Sequence, residues 1–236
     1  MDAADVDRIF EASEAALARP GRADLAGLGF WKAVNAVKRR PDLIGRHVER
    51  IARIDRAAFE RSVPLRFPAA VGVGLDVAGA AVGIGLMALA FSQPPPTSVP
   101  LWAFHPWKEL TFLAGMGAVI GTTHTLAHWI VGRLAGIRFT HWFTVPPRSP
   151  QPGFKIDYAS YLRTPAAARA WMHASGAIAT KLVPFAAYPL ALSAGLDPWA
   201  IWVILGIGVL QLATDALFSV RASDWKKFRR EMRFAR

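Results

Sequence analysis

The sequence predicts an all-α integral membrane protein with about four transmembrane helices. Hydrophobic residues make up 53% of the 236 residues. They are concentrated in four stretches that reach the ~20 residues a helix needs to cross a bilayer. These predicted spans are residues 67–92, 109–137, 166–192 and 198–220. The lipid bilayer is therefore the first expected partner.

The distribution of basic residues predicts the topology. Residues 1–66, 138–170 and 221–236 carry 13, five and seven Lys or Arg, whereas loops 93–108 and 193–197 carry one between them. By the positive-inside rule the basic segments lie in the cytoplasm, with both termini there, and the protein is integral to the cytoplasmic membrane. Topology and anionic headgroups account for the net charge of +11, so no nucleic-acid partner is expected.

The chain divides into three predicted regions: a cytoplasmic helical segment (1–66), a four-helix membrane domain (67–220) and a basic tail (221–236). Residues 2–18 form an amphipathic pattern, and a more basic one begins at Asp42. We expect the second helix and the tail to lie along the membrane surface. Docking of a partner protein is the alternative for the second helix.

A pair of histidines in the second span is the strongest functional motif. His124 and His128 are four residues apart, so they share one face of a helix at a spacing that one metal ion can bridge. The chain has no Cys, which leaves His and carboxylate as metal ligands. In the zinc-protease motif HExxH, the residue after the first His is the catalytic Glu, but here it is Thr125.

Other polar residues inside the predicted spans include Asp76, Asp215, Lys181 and His173. At ~1.5 Å per residue, Asp76 and His128 lie ~13 Å and Asp215 ~8 Å from the cytoplasmic boundary. A site of His124, His128 and Asp215 is therefore feasible. Asp76 is either a hydrogen-bonded link between helices or a catalytic base, and Lys181 either pairs with an acid or binds substrate.

The pattern resembles the site-2-protease family of intramembrane zinc metalloproteases. The HxxxH pair is followed by Arg133 and Gly136, then by a β-like segment (137–145) and a small-residue Gly motif (174–177). The resemblance implies zinc as cofactor, His124, His128 and Asp215 as its ligands, and a transmembrane helix as substrate or partner. The sequence departs from the family at Thr125, at Ala177 and around Asp215.

Two functions follow from the resemblance and its departures. Thr125 lacks a basic group, so the first hypothesis is a pseudoprotease that binds a membrane helix or regulates a partner without cleaving it. The alternative is an active intramembrane metalloprotease that uses Asp76 as a substitute base. A membrane di-iron oxidase would need more than the six histidines present.

Overall fold

The computed structural model describes residues 1–21, 23–93, 106–145, 149–217 and 223–235, without the side chains of 149–151 and 215–217. The chain is mostly helical with one small sheet. In chain order the elements are α1 (Ala3–Ala18), α2 (Phe30–Lys38), α3 (Pro41–Ser62), β1 (Arg66–Pro68), α4 (Ala69–Ser92), α5 (Trp107–Leu134), β2 (Phe139–Val145), β3 (Ser149–Ile156), α6 (Tyr158–Arg163), α7 (Ala166–Ser193), α8 (Pro198–Leu217) and α9 (Asp224–Met232). They fall into two compact units, and the division differs from the predicted one: one unit comprises residues 1–72, 132–170 and 230–236, the other 73–131 and 171–229.

The first unit has a core of its own, made by α1, α2 and α3. The α1 helix begins with a capping box between Asp2 and Asp5, and Pro41 opens α3, a position where its missing N–H costs nothing. The apolar positions of all three helices are buried, among them Val6, Phe10, Phe30, Val34, Val48, Ile51 and Ile54. We predicted that the apolar face of α3 lies against lipid. That prediction is wrong, because protein covers this face, and an amphipathic pattern alone does not distinguish the two surroundings.

The β-like segment after the second predicted span is a strand. In the three-stranded antiparallel sheet, β2 lies between β1 and β3. Phe67 of β1 pairs with Trp142 of β2, and Phe139 of β2 pairs with Ile156 of β3. The first span therefore begins two residues later than predicted, at Ala69. Helix α5 ends at Leu134 rather than at residue 137, since Gly136 adopts a left-handed conformation (φ 84°) that stops the helix.

The second unit contains most of the long apolar helices. Among the residues that the structure describes, three helices are long and apolar enough to cross a membrane: Ala69–Ser92, Trp107–Leu134 and Ala166–Ser193. The apolar stretch Pro198–Thr214 of α8 is shorter. Many large apolar side chains of this unit face outward, including Val82, Ile84, Leu182, Trp202 and Leu210. Such an apolar exterior suits contact with a lipid bilayer.

Small residues let α4 and α5 approach closely. A Cβ placed at Gly83 would lie 2.7 Å from the carbonyl oxygen of Gly115, and one at Gly115 would lie 2.5 Å from that of Gly83. Beside this contact Phe112 and Met116 of α5 are fully buried, together with Ala187, Ala191 and Ile204 of the following helices. The close approach fixes α5, the helix that carries the histidine pair.

Candidate metal centre

The two histidines of α5 point their Nε2 atoms at one spot. Their i, i+4 spacing on a continuous helix places the rings 4.7 Å apart, at 89° to each other. The Nε2 atoms of His124 and His128 are 3.2 Å apart. The predicted pairing of the two imidazoles is therefore present.

A carboxylate completes the group, and it comes from Asp224. This residue lies in the first turn of α9. Its Oδ2 is 3.4 Å from Nε2 of His124 and 3.2 Å from Nε2 of His128. Its other oxygen, Oδ1, accepts a hydrogen bond of 3.0 Å from Nζ of Lys227, which orients the carboxylate. These three residues form a group that could hold a metal ion.

The dimensions of the triangle fit a tetrahedral ion. Zinc binds His nitrogen and carboxylate oxygen at about 2.0–2.1 Å, so two ligand atoms of a regular tetrahedron lie about 3.3–3.4 Å apart. The three observed edges are 3.2, 3.2 and 3.4 Å. The side chains remain 13–18% exposed, so a fourth ligand can reach the position that a tetrahedral ion leaves open.

A backbone carbonyl of α7 orients the ring of His128. Nδ1 of His128 lies 2.6 Å from the carbonyl oxygen of Met172. Because a carbonyl only accepts, Nδ1 of His128 carries the proton. In the neutral ring, Nε2 then presents a lone pair to the carboxylate. Metal-bound histidines typically have such a hydrogen bond on their other nitrogen.

Gly176 leaves the space that the His128 ring occupies. A Cβ at position 176 would lie 2.3 Å from Nε2 of His128 and within 2.8 Å of two further ring atoms. An imidazole has little freedom to yield, so any larger residue displaces it. The Gly of the predicted small-residue motif in α7 is thus a requirement of the site.

The carboxylate is ionised, as a metal ligand must be. Burial raises the pKa of Asp224, but the hydrogen bond and the charge that His128 supplies in its protonated form, together with Lys227, outweigh it and hold this pKa below its usual range.

Thr125 and Asp76 contact each other directly. Oγ1 of Thr125 donates a hydrogen bond of 2.7 Å to Oδ2 of Asp76, and both residues are nearly fully buried, at 1% and 4% exposure. This hydrogen bond links α4 to α5 next to the histidine pair in sequence.

The remaining predicted residues are not among the three that converge. The side chain of Asp215 lies outside the described residues, so its role as ligand stays a prediction. Nζ of Lys181 donates to the carbonyl oxygen of Ala177 at 3.1 Å, and His173 is buried at 8% exposure. Within the described part of the chain, neither belongs to the group around His124.

Sequence reasoning missed Asp224 because it treated the tail as a uniformly basic surface segment. The available signal was an acid in the first helical turn of a segment whose charged residues are mostly Lys and Arg.

In comparisons with models of known protein families, with curated proteins and with solved structures, no match to this chain is found.

Proposed function

We propose that this chain is a membrane-embedded zinc protein of the site-2-protease type that binds a transmembrane segment without cleaving it. The observation that supports it is the convergence of Nε2 of His124, Nε2 of His128 and Oδ2 of Asp224 at 3.2–3.4 Å. Three acceptor atoms so close repel one another unless a cation or a proton lies between them. The proposed set of metal ligands differs from the set expected from the sequence only in the third ligand, which is Asp224 instead of Asp215.

The proposed membrane arrangement has four spans, with α8 as the fourth. Both termini then lie on the same side as the basic segments, which the positive-inside rule assigns to the cytoplasm. The concentration of Lys and Arg in residues 1–66 and 221–236 supports this orientation.

Zinc is the metal that this donor set favours. Two imidazoles and one carboxylate, in a triangle with tetrahedral edges and a partly exposed side, are typical of zinc sites with an open position. There zinc supplies Lewis acidity to its fourth ligand. His124, His128 and Asp224 would hold the ion, Met172 and Lys227 orient His128 and Asp224, and Gly176 leaves space for the His128 ring.

Thr125 supports the non-cleaving function. Peptide hydrolysis needs a group that takes a proton from the attacking water, and a threonine hydroxyl is far too weak a base near neutral pH. Loss of a general base typically lowers the rate by about 10²–10⁴-fold. A bound helix would then remain intact at the site.

The contact between Thr125 and Asp76 favours a second candidate function, an active intramembrane metalloprotease. Here the carboxylate of Asp76 replaces the missing Glu, and the hydroxyl of Thr125 holds it by the 2.7 Å hydrogen bond. Asp76 would take the proton from water and later deliver it to the leaving amine.

Zinc analysis followed by a cleavage assay tests both candidates. Purified wild-type protein is expected to hold one zinc per chain, and His128→Ala to hold none. His141→Ala is the matched control, since His141 lies in β2 outside the metal group. Wild-type protein without zinc would overturn the proposal.

The zinc-loaded protein is then incubated with a test transmembrane peptide. We expect the peptide to bind and to stay intact. Cleavage that Asp76→Asn abolishes would establish the second candidate in place of the first.

A further inference from the structure

Helix α9 carries a metal ligand on one face and only cations on the other. Asp224, Lys227, Phe228 and Glu231 lie on the inner face. The exposed positions are Lys226, Arg229 and Arg230, continuing to Arg233 in the following turn. Their spacing of i, i+3, i+4 and i+7 defines one stripe along the helix. We call these four residues the cationic stripe.

Aromatic contacts place the first turns of α9 beside the beginning of α7. The ring of Phe228 lies 5.3 Å from that of Trp171 and 5.8 Å from that of Trp225. Trp171 is 54% exposed and lies six residues into α7, a helix that can cross a membrane. Tryptophan at the end of such a helix is typical of the headgroup level.

We propose that anionic lipid headgroups bind the cationic stripe and thereby strengthen metal binding at His124, His128 and Asp224. This inference rests on the proposed function and adds its regulation. Lipid is favoured over an acidic protein because the stripe lies next to interfacial tryptophans, and an anionic membrane surface attracts each nearby Lys or Arg.

Binding of lipid headgroups would increase metal affinity through two physical effects. Headgroup contacts hold α9 in the position in which Oδ2 of Asp224 faces the two imidazoles, 3.2 and 3.4 Å from their Nε2 atoms. They also neutralise positive charges close to the site, which otherwise repel a divalent cation. Metal affinity and lipid charge are then reciprocally coupled, as linkage requires.

The test measures zinc affinity of the full-length protein in two membranes, by competition with a zinc-chelating dye. One nanodisc contains phosphatidylcholine alone, and the other contains phosphatidylcholine and phosphatidylglycerol in equal parts. We expect zinc to bind about fivefold to tenfold more tightly in the anionic membrane. In the double variant Lys226→Gln/Arg229→Gln, the ratio of the zinc affinities in the two membranes should fall close to one. A control variant should keep the wild-type ratio.

The control variant is Arg19→Gln/Lys32→Gln, which removes the same charge from two exposed positions far along the chain. Anionic lipid attracts free zinc to the surface for every variant, so this contribution cancels when the ratios are compared. The control is expected to keep the wild-type ratio.

Three outcomes would overturn the inference. Equal ratios in the stripe variant and the control mean that the stripe does not sense lipid. If zinc affinity does not depend on lipid charge but rises with added polyglutamate, the cationic stripe is a docking surface for an acidic protein instead. If no membrane supports zinc binding, the proposed function itself fails, and the two failures are thereby distinguishable.

Discussion

Two buried polar clusters in this molecule differ in one decisive respect, the complementarity of their charges. In one, the carboxylate of Glu231 is fully buried between Nζ of Lys38 at 2.6 Å and Nε of Arg169 at 2.9 Å. In the other, His124, His128 and Asp224 present three acceptor atoms to one another. The first cluster is satisfied by its own residues, whereas the second needs a metal ion or a proton between its three close atoms.

The surroundings confirm this contrast. The rings of Tyr161 and Phe234 lie 5.0 and 5.6 Å from Nζ of Lys38, so aromatic faces take up the excess positive charge. Arg169 also donates to the carbonyl oxygens of Leu162 and Thr164. The cluster around Glu231 thus stabilises the fold, and that around Asp224 is the one suited to bind a ligand. Four predictions test this difference, from the largest expected effect to the smallest.

Removing the charge of Glu231 should have the largest effect on stability. Glu231→Gln leaves Lys38 and Arg169 buried without a counter-charge, and breaking a buried ion pair in this way costs about 3–5 kcal/mol. Chemical unfolding in detergent measures it. The control is Glu49→Gln, whose partner Arg163 is exposed, and it should change stability by less than about 1 kcal/mol. Equal losses in the two variants would contradict the account.

A methyl group at position 176 should weaken metal binding without unfolding the protein. In Gly176→Ala the new Cβ displaces the His128 ring, and we expect zinc affinity to fall about 10–100-fold, as when an orienting contact of a ligand is lost. Gly117→Ala, in the histidine helix but with open space around it, should bind zinc normally. Normal zinc affinity in Gly176→Ala would show that the ring is not held as described.

Loss of the hydrogen bond between Thr125 and Asp76 should lower zinc affinity less than loss of a contact that orients a metal ligand. Thr125→Val keeps the shape of the side chain and leaves a buried carboxylate with one donor fewer, which costs about 1–3 kcal/mol of stability. Zinc affinity should stay within a few-fold of wild type. Thr123→Val is the control, because its hydroxyl bonds only to the backbone of its own helix. A large loss of zinc in Thr125→Val would make this contact part of the metal site.

The smallest effect is a dependence of stability on pH. Burial lowers the pKa of Lys38 to about 8, since loss of water outweighs the attraction of Glu231. The pKa of this lysine is thus below its unfolded value, so protonation favours unfolding, and stability should rise by about 1 kcal/mol between about pH 7 and pH 9. Lys38→Met should lack this rise. An equal rise in Lys38→Met would assign it to other groups.

Much of the fold could be predicted because it depends on local pattern. The apolar stretches predict α4, α5 and α7 to within a few residues, and the β-branched and aromatic segment 137–145 predicts β2, which begins two residues later, at Phe139. What the apolar face of a helix packs against could not be predicted in the same way. The apolar face of α3 has the same period whether it meets lipid or, as here, is buried against α1 and α2.

In the candidate site, too, the local part could be predicted and the long-range part could not. His124 and His128 are four residues apart on one helix, so their meeting is a local property that the sequence reveals. Asp224 is 96 residues from His128, and its arrival depends on how the last helix packs against Trp171. Depth along each span made Asp215 the natural expectation. Depth does not give the direction in which a side chain points around its helix, and it does not give the position of residues that follow the span.

The most direct test of the metal centre compares two aspartates. Zinc stoichiometry is measured for purified wild type, Asp224→Asn and Asp215→Asn, which remove the same charge nine residues apart in the sequence. The account predicts one zinc per chain in wild type and in Asp215→Asn, and a loss of at least about 100-fold in affinity in Asp224→Asn. Zinc retained by Asp224→Asn but lost from Asp215→Asn would contradict it.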